Sequence, residues 1–152
     1  MPSVARSRLL PEPWVFFLDR SLGGRLVFEA LRAKGESVEV HDAHFPKDAP
    51  DVAWLGAVGH KGWVVLSKDD RIRLNEVERN ALTEAGVAAF FLGRSDLTGP
   101  QMASAIITAL PTMKRVLRRF PVPFIARISA DGDVSVFESV GKKFNPPKRI
   151  RA

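Results

Sequence analysis

The chain of 152 residues is 45% apolar and 26% charged and contains no cysteine, which fits one globular domain and excludes a disulfide scaffold, a thiolate metal site and a cysteine nucleophile. Its net charge of +6 is unevenly placed: residues 1–110 hold 13 basic and 14 acidic side chains, whereas residues 111–152 hold 10 and 3, and concentrated positive charge suggests a phosphate polymer as partner. Apolar runs such as Val87 to Leu92 fall short of the roughly 18 residues needed to cross a bilayer, and the Pro-punctuated N-terminus lacks an uninterrupted apolar stretch, so a cytoplasmic protein without membrane contact is expected.

Trp14-Val15-Phe16-Phe17-Leu18 is a β-branched and aromatic run that reads as a buried strand, stopped by Asp19. Leu22, Leu26, Val27, Ala30 and Leu31 then recur on one helical face, and Gly35 closes that helix. Ser37 to Val40 alternates as a second strand, and residues 41–50, with Pro46 and Pro50, form a loop. A helix from Pro50 to His60 carries Val52, Leu55 and Val58 inward and ends at Gly62. Trp63 to Leu66 is the third strand, with Trp54 and Trp63 both facing the core.

Asn75 and Glu78 form a capping box for a helix that closes at Gly86, and Val87 to Leu92 is the fourth strand. Thr98-Gly99-Pro100-Gln101 opens another helix, whose apolar period runs from Met102 to Leu117 straight through Pro111. A kink or a split is expected there, because proline removes a hydrogen bond at a cost of about 3 kcal/mol. Phe124 to Ile128 and Val134 to Phe137 read as a terminal hairpin, and residues 141–152 as a basic, mobile tail. Four alternations of strand and helix, with apolar residues consecutive rather than alternating, predict a parallel, doubly wound α/β sheet covered on both faces.

Sites in open α/β sheets form beyond the carboxyl ends of the strands. Asp19 ends the first strand, Asp69 and Asp70 follow the third by one turn, and Asp51 sits in the first turn of the helix leaving the second. Gathered carboxylates repel: at 4 Å and an effective dielectric near 20, each pair costs about 4 kcal/mol. A divalent cation relieves that repulsion, and hard oxygen ligands select Mg²⁺ or Mn²⁺ over zinc. Such an ion is the equipment of phosphodiester hydrolysis. Local roles compete with this reading. Asp19 can cap the first helix, Asp51 can complete a box with Asp48, Asp70 can pair with Ser67, and Asp69-Asp70 can be a solvated turn.

The segments Leu18-Asp19-Arg20-Ser21-Leu22, Asp51-Val-Ala-Trp-Leu and Gly62-Trp-Val-Val-Leu-Ser-Lys-Asp69-Asp70, in this order, resemble a PIN-like nuclease domain of the compact variety found among VapC-type toxins. The resemblance covers residues 14–92 and implies a three-layer α/β/α domain over residues 1–140, with a mainly parallel sheet, a C-terminal β-hairpin and the basic tail beyond it. It also implies a Mg²⁺-dependent endoribonuclease toxin of a type II pair, held in check by a cognate antitoxin, and often a homodimer. Carried over by position, Asp19, Asp51 and Asp69 are the metal-binding acids, Ser67 supports Asp69, and Asp70 is a fourth ligand or a neighbour of the first three. Two departures stand out: Arg20 occupies a place often held by a second acid, and Arg71-Ile72 a place where many members carry an aromatic.

Arg20, Lys68, Arg71 and Arg73 flank this pocket and are placed to hold substrate phosphates. Lys114, Arg115, Arg118 and Arg119 form a second basic group, to which the tail adds Lys142, Lys143, Lys148, Arg149 and Arg151. Together they read as an RNA phosphate track or a surface for an acidic antitoxin segment, with Phe144 as a stacking aromatic. The alternatives are a catalytically inactive RNA- or protein-binding module of the same fold, or a phosphoacceptor domain of the receiver type. The last lacks a lysine at the end of Phe124–Ile128 and ranks behind the others.

Overall fold

A strand whose successive residues are all apolar has to bury both its faces, so it needs a layer of helices on each side. A computed structural model, which describes residues 7–22, 24–68, 71–93 and 96–151, has that form. In chain order the elements are β1 (Val15–Leu18), α1 (Arg25–Ala33), β2 (Ser37–Val40), α2 (Asp51–Lys61), β3 (Val64–Ser67), α3 (Arg71–Leu74), α4 (Glu76–Ala85), β4 (Ala88–Leu92), α5 (Gly99–Arg119), β5 (Phe124–Ile128), β6 (Val134–Ser139) and β7 (Lys142–Ile150). They build one sheet of order β2-β1-β3-β4-β5-β6-β7. The first five strands run parallel, and β6 and β7 are antiparallel to their neighbours.

Neighbouring residues of one strand feed opposite cores. Phe16, Leu18, Leu66 and Phe90 pack with Val27 and Leu31 of α1 and with Ala105, Met113 and Leu117 of α5. Phe17, Val65 and Phe91 pack with Trp54, Leu55 and Val58 of α2, Ile72 of α3 and Leu82 of α4. Helices α2 and α4 cross closely: a Cβ at Gly59 would lie 2.5 Å from the carbonyl oxygen of Ala85. Gly62 ends α2 in the left-handed region (φ 72°) that glycine adopts without steric cost. The carboxyl ends of β1 and β3 therefore lie side by side at one edge, between helices of opposite layers. Among the described residues no helix is long and apolar enough to cross a membrane.

The chain departs from expectation where tertiary contacts outweigh local signals. Helix α5 passes through Pro111 undivided. The proline is exposed, while Ala109, Leu110, Thr112 and Met113 on either side are buried against the sheet, and that packing offsets the missing hydrogen bond. The start of α5 carries a complete box, with the Gln101 amide donating to Thr98 Oγ1 (3.3 Å) and the Thr98 amide to Gln101 Oε1 (2.8 Å). Leu26 and Val52, expected to face inward, are exposed, and Trp63 is half-buried just before β3, stacked on Phe17. Helix α3 forms where no helix is expected.

The largest difference lies at the C-terminus. Residues 141–152, expected as a mobile tail, contain β7, which pairs with β6 at the sheet edge. Its register jumps between Lys143 and Lys148, so Phe144 to Pro147 bulge out of the ladder. Two prolines are compatible with an edge position, where the missing amide protons cost little.

Candidate active site

Register places the first candidate residue. Leu18 of β1 pairs with Val40 of β2 on one side and with Leu66 of β3 on the other, so His41, Asp19 and Ser67 follow one another across the carboxyl edge of the sheet. Asp19 is buried at 5% exposure, and a buried carboxylate has to be supplied with donors. Its Oδ1 accepts the amide of Ser21 (2.9 Å) and the Ser21 hydroxyl, and its Oδ2 accepts the hydroxyl of Ser67. The Ser21 hydroxyl also takes the amide of Lys68 (2.9 Å) and lies 3.2 Å from the Ser67 hydroxyl. One carboxylate thus ties the end of β1 to the end of β3. Asp19 serves the short turn Arg20–Leu22 and does not cap α1, whose N-cap is Gly24.

Asp51 opens α2 behind an N-cap of Pro50, without a cap from Asp48. Its Oδ1 accepts the indole N–H of Trp54 at 2.7 Å, one turn on, and its Oδ2 takes no hydrogen bond among the described residues. Asp19 and Asp51 line one cleft of about 360 Å³, together with Arg20, Ser21, His41 and Lys47. Two of the expected carboxylates therefore share a cavity. Asp69 and Asp70, and the side chain of Arg71, lie outside the described residues.

The donor set suits a hard cation. The cleft offers two carboxylates and no sulfur, and carboxylate oxygens favour Mg²⁺ or Mn²⁺ over zinc. Among the described residues no group of three or more His, Asp or Glu is gathered closely enough to hold a metal.

The basic candidates separate. Arg20 lies at the cleft, where its guanidinium donates to the Lys47 carbonyl (2.9 Å) and meets Asp42 (3.3 Å). Lys68 adjoins through its backbone. Arg73 lies over the ring of Phe137, 4.9 Å from its centroid, and lines a different cleft. Helix α5 starts near the carboxyl end of β4 and returns to the amino end of β5, which puts Arg115 and Arg119 at the edge opposite Asp19. Their helix neighbours mark the same edge, since Lys114 pairs with Glu36 (2.7 Å) ahead of β2 and Arg118 with Glu12 (3.4 Å) ahead of β1. There Arg119 lies over Phe120, and Lys142 and Lys148 lie over Phe144.

Sequence reasoning passed over Ser21, Lys47, Trp54 and His41 as site residues. Ser21 stands two residues after Asp19, the spacing of an Asx turn, and that signal is present in the sequence. His41 becomes visible only once the register of β1 and β2 is known.

Comparison with known proteins agrees with this fold. A family model described as a PIN-like domain matches residues 14–94. The chain is 34% identical over 113 residues to a curated protein of Mycobacterium tuberculosis named "Putative ribonuclease VapC45", an alignment covering 72% of this chain and 81% of that one. No solved structure matches.

Proposed function

The chain belongs to the PIN-like domain family, and on that premise we propose that it is a Mg²⁺-dependent endoribonuclease, the toxin of a type II toxin–antitoxin pair. The observation that carries the reading is the meeting of Asp19 and Asp51, from separate elements, in one cleft at the carboxyl edge of the sheet. The name of its mycobacterial relative supports ribonuclease chemistry. Asp19, Asp51 and Asp69 would hold Mg²⁺ or Mn²⁺, with Asp70 beside them. When bound, such an ion supplies charge neutralisation and Lewis acidity for phosphodiester hydrolysis.

The protein's own residues prepare that chemistry. Ser67 and Ser21 fix the orientation of the Asp19 carboxylate, and the Trp54 indole fixes that of Asp51. Arg20 and Lys47 at the cleft, with Lys68 nearby, meet the phosphates flanking the cut bond. Arg115, Arg119, Lys142 and Lys148 at the opposite edge provide a second contact for a long RNA or for an acidic antitoxin segment. The setting is the cytoplasm, where RNA and antitoxin are both at hand.

One observation favours the alternative of a non-catalytic RNA- or protein-binding module. Arg20 stands where many members carry a further acid, and it is already paired with Asp42. A single experiment separates the two. Labelled single-stranded RNA is incubated with the purified chain in Mg²⁺ or EDTA, beside the Asp19→Asn and Asp51→Asn variants. The nuclease reading expects cleavage only with Mg²⁺ and a loss of at least about 100-fold in each variant, close to 3 kcal/mol of barrier. RNA binding without cleavage supports the alternative, and full cleavage by both variants removes these residues from the site.

A further inference from the structure

We propose that His41 is a specificity-determining residue that accepts a hydrogen bond from a ribose 2′-hydroxyl, so that the cleft selects RNA over DNA. The proposal rests on the ribonuclease reading and names the feature of the substrate that the site recognises. His41 follows Val40, the partner of Leu18, and so stands next to Asp19 across the sheet edge. Its side chain is only 3% exposed. It nevertheless lines two cavities at once, the cleft of about 360 Å³ that holds Asp19 and Asp51 and an adjoining one of about 430 Å³. Asp19, Arg20 and His41 are the residues common to both.

The ring is held by aromatic neighbours and by a contact at Nδ1. It packs against Phe45, Trp54 and Phe17, with centroids 5.6, 6.0 and 6.3 Å away. Its Nδ1 lies 3.1 Å from Asp42 Oδ1, and Asp42 is braced in turn by Arg20 Nε at 3.3 Å. An ionised carboxylate only accepts, so Nδ1 carries the hydrogen, and in the uncharged form of the ring Nε2 is an acceptor. Among the described residues Nε2 has no partner. A fixed acceptor on a residue shared by two cavities calls for a ligand that brings a donor.

In a nucleic acid chain the phosphates and the ring oxygen of the sugar only accept. The 2′-hydroxyl is the donor that every RNA nucleotide carries and every DNA nucleotide lacks. The neighbouring cavity suits the rest of such a nucleotide, because Leu22, Phe28 and Val40 give it apolar walls that match an unstacked base better than another phosphate.

The test uses the full-length chain in EDTA, with one fluorescein-labelled single-stranded sequence made both as RNA and as DNA, and reads affinity by anisotropy. The wild type is expected to bind the RNA about tenfold tighter than the DNA, the size of one well-placed hydrogen bond. His41→Phe, which keeps a ring among the aromatic neighbours, should leave DNA affinity in place and bring the ratio close to one, and His41→Gln should restore part of it. Should His41→Phe fail to fold, Asp42→Ala at a half-exposed position releases the tautomer and should lower the ratio as well. A ratio unchanged in the folded variants overturns the proposal, as does a wild-type ratio already near one. So does a preference that follows base identity equally in RNA and DNA, for Nε2 then reads a base. Normal Mg²⁺-dependent RNA cleavage beside an unchanged ratio sinks this inference alone, whereas a chain that neither binds nor cuts RNA sinks the ribonuclease reading with it.

Discussion

The bond between Ser67 and Asp19 offers the most direct probe of how the fold holds its site. Ser67 is fully buried at the end of β3, and its hydroxyl donates to Oδ2 of a carboxylate that is itself 5% exposed. Removing a donor from a buried charged acceptor costs about 1.5–3 kcal/mol, and Ser67→Ala should destabilise the chain by an amount in that range. The Ser21 hydroxyl, 3.2 Å from that of Ser67, is committed to the other carboxylate oxygen and cannot serve both. In an Asp19→Asn background the acceptor is neutral, and the same serine deletion should cost only about 0.5–1.5 kcal/mol. Asp19→Asn alone should also destabilise, because its amide group would face serine hydroxyls that now donate. Urea denaturation of the wild type, both single variants and the double variant gives the coupling directly. Effects that add to within about 0.3 kcal/mol would refute the idea that this charged hydrogen bond organises the edge.

The remaining predictions concern the rest of the cleft and the far edge. Trp54→Phe keeps the buried ring and removes the indole donor to Asp51, so RNA cleavage should fall about tenfold or more with little change in the melting transition; unchanged cleavage would remove Trp54 from the support of Asp51. Lys143→Gln with Lys148→Gln should flatten the dependence of RNA affinity on salt, by about one unit of slope for each phosphate no longer neutralised. An identical slope would show that β7 does not touch RNA.

The architecture was legible because its code is redundant. Consecutive apolar residues in the strands, such as Phe16-Phe17-Leu18 and Phe90-Phe91-Leu92, feed two cores, and a sheet covered by helices on both faces buries both sets. The rule that sites collect beyond strand ends then singled out Asp19 and Asp51. What stayed hidden depended on partners distant in sequence. The prolines and lysines of β7 read as a tail because its order comes from β6. Pro111 reads as a break because the burial around it is tertiary. Leu26 and Val52 fit a helical period near helix starts, where the period says little about what the face meets. Arg115 and Arg119 announce positive charge, but only the return path of α5 tells which edge of the sheet receives it.

The outermost strand carries a consequence for how the molecule behaves in a crowd. Beyond β7 the border presents two short, mismatched stretches of backbone divided by Pro146 and Pro147, with Lys142, Lys143 and Lys148 alongside. An approaching strand would find amide protons missing and like charges massed, so copies of the chain are kept from zipping together into fibres. Ending the chain at Ser139 would strip that guard and bare β6, which carries the apolar Val134, Val136 and Phe137. Because the deletion also takes Ile150 out of the core, the damage expected is clumping together with a loss of stability.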